Sequence, residues 1–173
     1  MSIQIFDNVL DTNYANTLFN ECINKLQSGD ELWKTNNSWP VGIIKSSHPV
    51  LIRMMDPANT EIILNSLLSK GFIQDKKYVV MNYLWTKLSY IPWHDDLHAT
   101  EAMTLYLNPQ WENDWGGYFL YADKSSVRNH VYQFQGFIPK FNTLVKNKNH
   151  ILHSVTQVSL DVPYPRCTLQ FFR

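Results

Sequence analysis

The sequence predicts a mainly β protein with flanking helices, an α+β chain whose antiparallel core carries its helices on one side. Three observations predict it. From Lys77 onward the apolar residues alternate with period two in short runs separated by Asn, Gly and Pro turns, the signature of a sandwich or barrel. Before Lys77 two segments have helical starts and glycine stops instead. The 173 residues, 45% of them hydrophobic and 14% aromatic, suffice for one core, and neither a composition break nor a repeat divides them. Residues 1–76 are read as mixed helical support and residues 77–173 as the β-core of one domain.

Ile3 to Val9 is a short apolar segment that can start a sheet. Asp11 or Thr12 then caps a helix with Ala15, Leu18, Phe19, Cys22, Ile23 and Leu26 on one face and Gly29 as its stop. Residues 30–55, with Trp33, Trp39, Pro40 and Pro49, read as loops or short strands. Asp56-Pro57 opens a second helix, since proline is pre-organised for the first helical position, and Gly71 closes it. The strands follow: Tyr78–Tyr83, Glu101–Leu107, Tyr118–Tyr121 after Gly116-Gly117, Val131–Phe134, Thr143–Val145, Leu152–Val158 and Arg166–Phe172. Lys146-Asn147-Lys148-Asn149 reads as a turn.

Fifteen basic and fifteen acidic side chains cancel, which leaves no electrostatic footprint for nucleic acid or an anionic membrane. No apolar run approaches the roughly 20 residues of a membrane span. The first residues, Met1 to Asp7, lack a basic and apolar leader, so no secretory signal is expected. Cys22 and Cys167 are far apart in sequence and form no metal-type pair; they read as reduced thiols of a cytoplasmic protein.

The chemistry lies in His94-Asp95-Asp96, followed by His153 and then Arg166. Two imidazoles and one carboxylate are the protein half of a facial iron site, which leaves three coordination positions open. In an extended chain His94 and Asp96 project to one side and Asp95 to the other, so Asp96 is the geometric choice of ligand. A lone histidine in a strand such as Ile151–Val155 is more often a core residue, but the His-x-Asp pair lacks a third arm. Of its rivals, His98 is too close in sequence, and His130 and His150 sit beside Asn- and Lys-rich turns, which leaves His153. Alternation puts Arg166, Thr168 and Gln170 on one face of the last strand. An inward arginine is costly unless an anion awaits it, and its fork suits the carboxylate of a 2-oxo acid. The set points to O2 activation at Fe(II), with Trp93, Leu152 and Val155 keeping the site dry.

The segment from Tyr78 to Phe172 resembles the catalytic core of the Fe(II)/2-oxoglutarate-dependent oxygenases, nearest their prolyl 4-hydroxylase-like branch. The matching residues are His94-x-Asp96, Leu105-Tyr106-Leu107-Asn108, Trp115-Gly116-Gly117, Pro139-Lys140-x-Asn142-x-Leu144-Val145, His153-x-Val155-x-x-Val158 and Arg166-x-Thr168. The chain departs from the pattern in three places. Asp161 to Pro165 lengthen the stretch before Arg166, Tyr118 stands where many relatives are acidic, and the phenylalanine common after the Leu-Val strand is missing.

The resemblance implies a double-stranded β-helix, a cupin-like jelly roll, with His94, Asp96 and His153 holding Fe(II). It further implies that Arg166 pairs with the distal carboxylate of 2-oxoglutarate, aided by Thr168 and Tyr106, while Tyr83 approaches the metal-bound end. The implied reaction couples oxidative decarboxylation of 2-oxoglutarate by O2, yielding succinate and CO2, to hydroxylation of a substrate C–H bond. Ascorbate is the reductant expected with it. Peptidyl proline is the first substrate reading and a small metabolite the second. Trp111, Trp115, Arg128 and His130 are candidates for the active-site lip, and the chain is expected as a monomer or homodimer. The rival reading is a non-catalytic cupin-like module using the same ligands for a structural or sensory Zn or Ni ion, which has no use for a carboxylate receptor.

Overall fold

The computed structural model describes residues 3–36, 48–96, 99–122, 134–148 and 151–173. Strand β1 (Ile3–Phe6) leads into α1 (Thr12–Gln27), and the sequence left two residues as its cap. Asp11 fills that role, its carboxylate accepting the Tyr14 amide at 3.0 Å. Strands β2 (Lys34–Asn36) and β3 (Val50–Met54) precede α2 (Pro57–Ser69), which Asp56 caps through the Asn59 amide at 2.9 Å. Both helices end in paired bonds around a left-handed glycine. Asp30 N donates to Lys25 O and Gly29 N to Leu26 O, and Phe72 N and Gly71 N do the same to Leu67 O and Leu68 O.

The remaining strands are β4 (Val79–Trp85), β5 (Ile91–His94), β6 (Glu101–Tyr106), β7 (Phe119–Ala122), β8 (Phe134–Phe137), β9 (Leu144–Lys148), β10 (Leu152–Val155) and β11 (Arg166–Phe172). They form two antiparallel sheets, a large one ordered β1-β9-β6-β11-β4-β3-β2 and a small one ordered β5-β10-β7-β8. From β4 onward the chain passes back and forth between the two sheets, which gives the jelly-roll architecture.

Alternation along β11 divides the interior into two cores. Cys167, Leu169 and Phe171 are fully buried against the helices with Leu18, Phe19, Ile63 and Leu67. The intervening residues, Arg166, Thr168 and Gln170, are buried on the opposite face, where Tyr83, Trp85 and Tyr106 of the large sheet meet Phe119 and Val155 of the small one. Thr168 pairs with Tyr83 on β4 and Tyr106 on β6, so the three share one transverse row of the groove between the sheets. Both cysteines belong to the helix-side core and are free. The hydrogen bond with Cys22, and then burial, push the Cys167 thiol up.

The structure corrects the reading of residues 146–148 as a turn. Strand β9 runs through Lys148, and Lys146, only 5% exposed, pairs with Glu101 at 3.0 Å while donating to Phe72 O at 2.9 Å. A polar run is held in the sheet because its buried cation has a half-buried anion beside it. The expected strand over 152–158 is shorter, ending at Val155, with Val158 making an isolated bridge to Gly116. Residues 161–165 do form an enlarged turn, with Val162 buried in the inter-sheet core. Trp39, Pro40, residues 131–133 of the expected Val131–Phe134 strand and Asn149 lie outside the described residues.

Candidate metal and cosubstrate site

His94 ends β5 and His153 lies on β10 as its direct cross-strand partner, so pairing brings the two imidazoles together. Their ring centres are 4.1 Å apart. Asp96 follows two residues after His94. Its Oδ1 lies 3.8 Å from His94 Nε2 and its Oδ2 lies 3.5 Å from His153 Nε2. One ligand atom from each of the three residues falls within 4.8 Å of the others.

The histidines are set for ligation by their backbone. His94 Nδ1 lies 2.8 Å from Pro92 O, and His153 Nδ1 lies 2.9 Å from Ile151 O. A carbonyl only accepts, so Nδ1 carries the proton in both rings and Nε2 turns its lone pair toward Asp96. Burial, and then the neighbouring His153, depress the His94 pKa to about 4, which keeps that ring neutral at physiological pH. Phe119 stacks on His153 at 5.2 Å between ring centres. Two imidazoles and a carboxylate, with the outer ring nitrogens already bonded to backbone carbonyls, fit a divalent iron.

Arg166 lies deeper in the same groove and is 1% exposed. Its guanidinium sits over two rings, 4.9 Å from the centre of Trp85 and 5.0 Å from that of Tyr106. Among the described residues, neither its Nε nor its Nη1 has a hydrogen-bond partner, and the Tyr106 hydroxyl has none either. The phenol is near enough to feel the guanidinium's charge, although the two miss hydrogen-bond geometry. Burial lowers the Arg166 pKa and raises that of Tyr106. Thr168 Oγ1 accepts from Trp85 Nε1 and from Gln170 Nε2, each at 3.2 Å. Burial and the charge of Asp96 push the Tyr83 phenol up to about 12. A buried cation with idle donors beside an idle hydroxyl is an incomplete anion site, and a carboxylate would complete it.

The fold thus gathers all seven residues singled out from the sequence into one groove. Asp95 is not among the clustered ligand atoms. The wall of the site differs from expectation: Trp93 alternates away from His94 and is 41% exposed, and Leu152 alternates away from His153. Of the three expected, Val155 is buried in the groove, and Phe119 joins it as apolar cover. Trp111 and Trp115 pack edge to face, and Trp111 Nε1 donates to Gly116 O at 2.9 Å, so this pair braces the Gly116-Gly117 turn. His98, Arg128, His130 and His150 lie outside the described residues. Sequence reasoning missed Trp85, although it follows Tyr83 by two positions and period two puts both on one face. It also missed Phe119, for which no local signal exists.

Residues 80–170, more than half of the chain, match the family model of the 2OG-Fe(II) oxygenase superfamily. The chain belongs to that superfamily, whose dioxygenases use Fe(II), 2-oxoglutarate and O2. Solved structures share its double-stranded β-helix fold. A prolyl-4-hydroxylase from Pseudomonas putida superposes with a TM-score of 0.71 at 16% identity, over 99% of this chain and 92% of that one. A prolyl hydroxylase from Trichoplax adhaerens, in complex with a hypoxia inducible factor oxygen degradation domain peptide fragment, gives 0.70 at 17% identity over 99% and 82%. HygX from Streptomyces hygroscopicus, with nickel, 2-oxoglutarate and hygromycin B bound, gives 0.64 at 12% identity over 98% and 81%. No curated protein sequence matches the chain. Among the described residues, no helix is long and apolar enough to cross a membrane.

Proposed function

We propose that this oxygenase is a hydroxylase of the prolyl 4-hydroxylase type, in which His94, Asp96 and His153 hold Fe(II) and Arg166 receives the distal carboxylate of 2-oxoglutarate. The observation that carries the second half is the buried Arg166 guanidinium with idle Nε and Nη1 donors beside the idle Tyr106 hydroxyl. Bound Fe(II) would supply the O2 chemistry, in which 2-oxoglutarate loses CO2 and takes up one oxygen atom of O2 to become succinate, while the other oxygen atom enters a substrate C–H bond.

The chain's own residues do the rest. The two Nδ1–H donors hold the imidazoles in the ligating tautomer. Arg166, Tyr106 and Thr168 would hold the far end of the cosubstrate, and Tyr83, in the same row as Thr168, would approach its other end. Phe119 and Val155 exclude water from the same space. A non-catalytic cupin-like module would retain the three ligands but has no use for a buried guanidinium awaiting an anion.

For the substrate, a peptidyl proline is the first reading, supported by the two prolyl hydroxylases of like fold. A small metabolite is the second, and HygX shows that this fold also accommodates one. Free, buried cysteines accord with a cytoplasmic setting, and ascorbate is the expected reductant. The deciding experiment is anaerobic titration of the Fe(II)-loaded protein with 2-oxoglutarate, following the visible charge-transfer band of the chelate. A band lost in His153→Ala supports the assignment. Bound metal without a band would return the cupin-like module.

A further inference from the structure

We infer that Trp85 is a positioning residue for the cosubstrate, holding Arg166 with the face of its indole and Thr168 with its N–H. The inference rests on the reading that Arg166 and Thr168 receive the distal carboxylate of 2-oxoglutarate. Trp85 is the last residue of β4 and stands directly opposite Arg166 on β11. It is 3% exposed and packs in one buried cluster with Val50, Ile91, Val155 and Val158.

From that seat it acts on two groups at once. The guanidinium carbon lies 4.9 Å from its ring centre, within cation–π range, which aligns the arginine fork without consuming an N–H. Its Nε1 donates to Thr168 Oγ1 at 3.2 Å, and Gln170 Nε2 donates to the same oxygen at 3.2 Å. A hydroxyl accepts two hydrogen bonds and donates one. With both accepting positions filled, the Thr168 proton is free for an anion. Gln170 Oε1 accepts in turn from the Thr104 hydroxyl at 2.8 Å, which leaves its Nε2 as the group on Thr168. One indole thereby keeps a cation and a neutral hydroxyl both donating into the same space, which is what a carboxylate requires.

The test separates the two contacts. Trp85→Phe keeps a ring for Arg166 and removes the N–H; Trp85→Leu removes both. In the anaerobic chelate titration, Trp85→Phe should raise the 2-oxoglutarate Kd about fivefold. Trp85→Leu should raise it more than about tenfold, with Fe(II) affinity unchanged in both. Because Trp85→Phe acts through Thr168, adding it to Thr168→Val should cost no more than Thr168→Val alone. Trp85→Phe preserves most of the apolar volume and carries the test if Trp85→Leu fails to fold. A Kd within about twofold of wild type, or full additivity with Thr168→Val, overturns the inference while leaving the chelate assignment standing. Absence of the band in the wild type overturns that assignment and this inference with it.

Discussion

His153 stands directly across the strand pair from His94, and each ring's Nδ1 is turned to the carbonyl two residues before it. The pairing of β5 with β10 therefore builds the metal site, and the two free Nε2 atoms converge on Asp96. His94→Ala, Asp96→Ala or His153→Ala should each abolish iron-dependent turnover while the circular dichroism spectrum stays that of the wild type. Asp95, one residue out of phase, should matter far less. An Asp95→Ala loss equal to that of Asp96→Ala would mean that the other carboxylate faces the metal.

The depressed pKa of His94 sets a pH window. Its folded-state value of about 4 lies below the ordinary 6.5, so between those values the unfolded chain binds the extra proton. Stability of the metal-free protein therefore rises with pH across that interval, is complete above about 6.5, and is lost as pH falls through about 4. Thermal melts of the apo protein from pH 7 down to pH 4 should decline. In His94→Gln, which has no proton to gain, the decline should be shallower. Equal slopes would place the pH sensitivity elsewhere.

Arg166 gives a prediction of unusual sign. A buried cation without its anion is costly, and the cost is relieved only when the carboxylate arrives. Arg166→Met should leave the apo protein as stable as the wild type or more so, by up to about 4 kcal/mol. It should also abolish the thermal stabilisation that 2-oxoglutarate gives the iron-loaded wild type, while metal affinity is retained. Arg166→Lys should not rescue, because an ammonium lacks the planar fork that lies over the Trp85 and Tyr106 rings. A wild-type response to 2-oxoglutarate in Arg166→Met would remove the arginine from the cosubstrate site.

The groove residues were legible because period two survives folding. Tyr83, Tyr106, Thr168 and Arg166 lie on the faces that alternation assigns them, and β11 begins and ends where its pattern does. Trp93 marks where the same rule went unused: as neighbour to His94 it had to face the other way, and it does. Lys146 was illegible for another reason. Its place in β9 depends on Glu101 and the Phe72 carbonyl, partners distant in sequence, and local polarity pointed to a turn. Glu101 also accepts from the Tyr78 hydroxyl, so the anion is committed on two sides. Lys146→Ala should cost about 3–5 kcal/mol in urea unfolding by stranding the carboxylate, and a second change, Glu101→Gln, should recover part of it. A loss under about 1 kcal/mol would mean that water reaches the pair.

Gly117 provides the last prediction, since it controls the arginine from the other side. A Cβ placed there would stand 2.8 Å from Arg166 Cδ and 3.4 Å from its Nε, and the backbone φ is +66°. Alanine at 117 pays for the left-handed backbone, about 1–2 kcal/mol, wherever the arginine goes. The clash adds a second effect of a different kind, because the stem must move and carry the guanidinium off the Trp85 and Tyr106 rings. Gly117→Ala should therefore weaken 2-oxoglutarate binding by more than about tenfold while Fe(II) binding is spared. Backbone strain alone would lower the melting temperature and leave the Kd unchanged. The ratio of cosubstrate Kd to metal Kd in this variant thus tells displacement of Arg166 from a general loosening of the turn, and an unchanged ratio would show that the arginine stem yields without moving its fork.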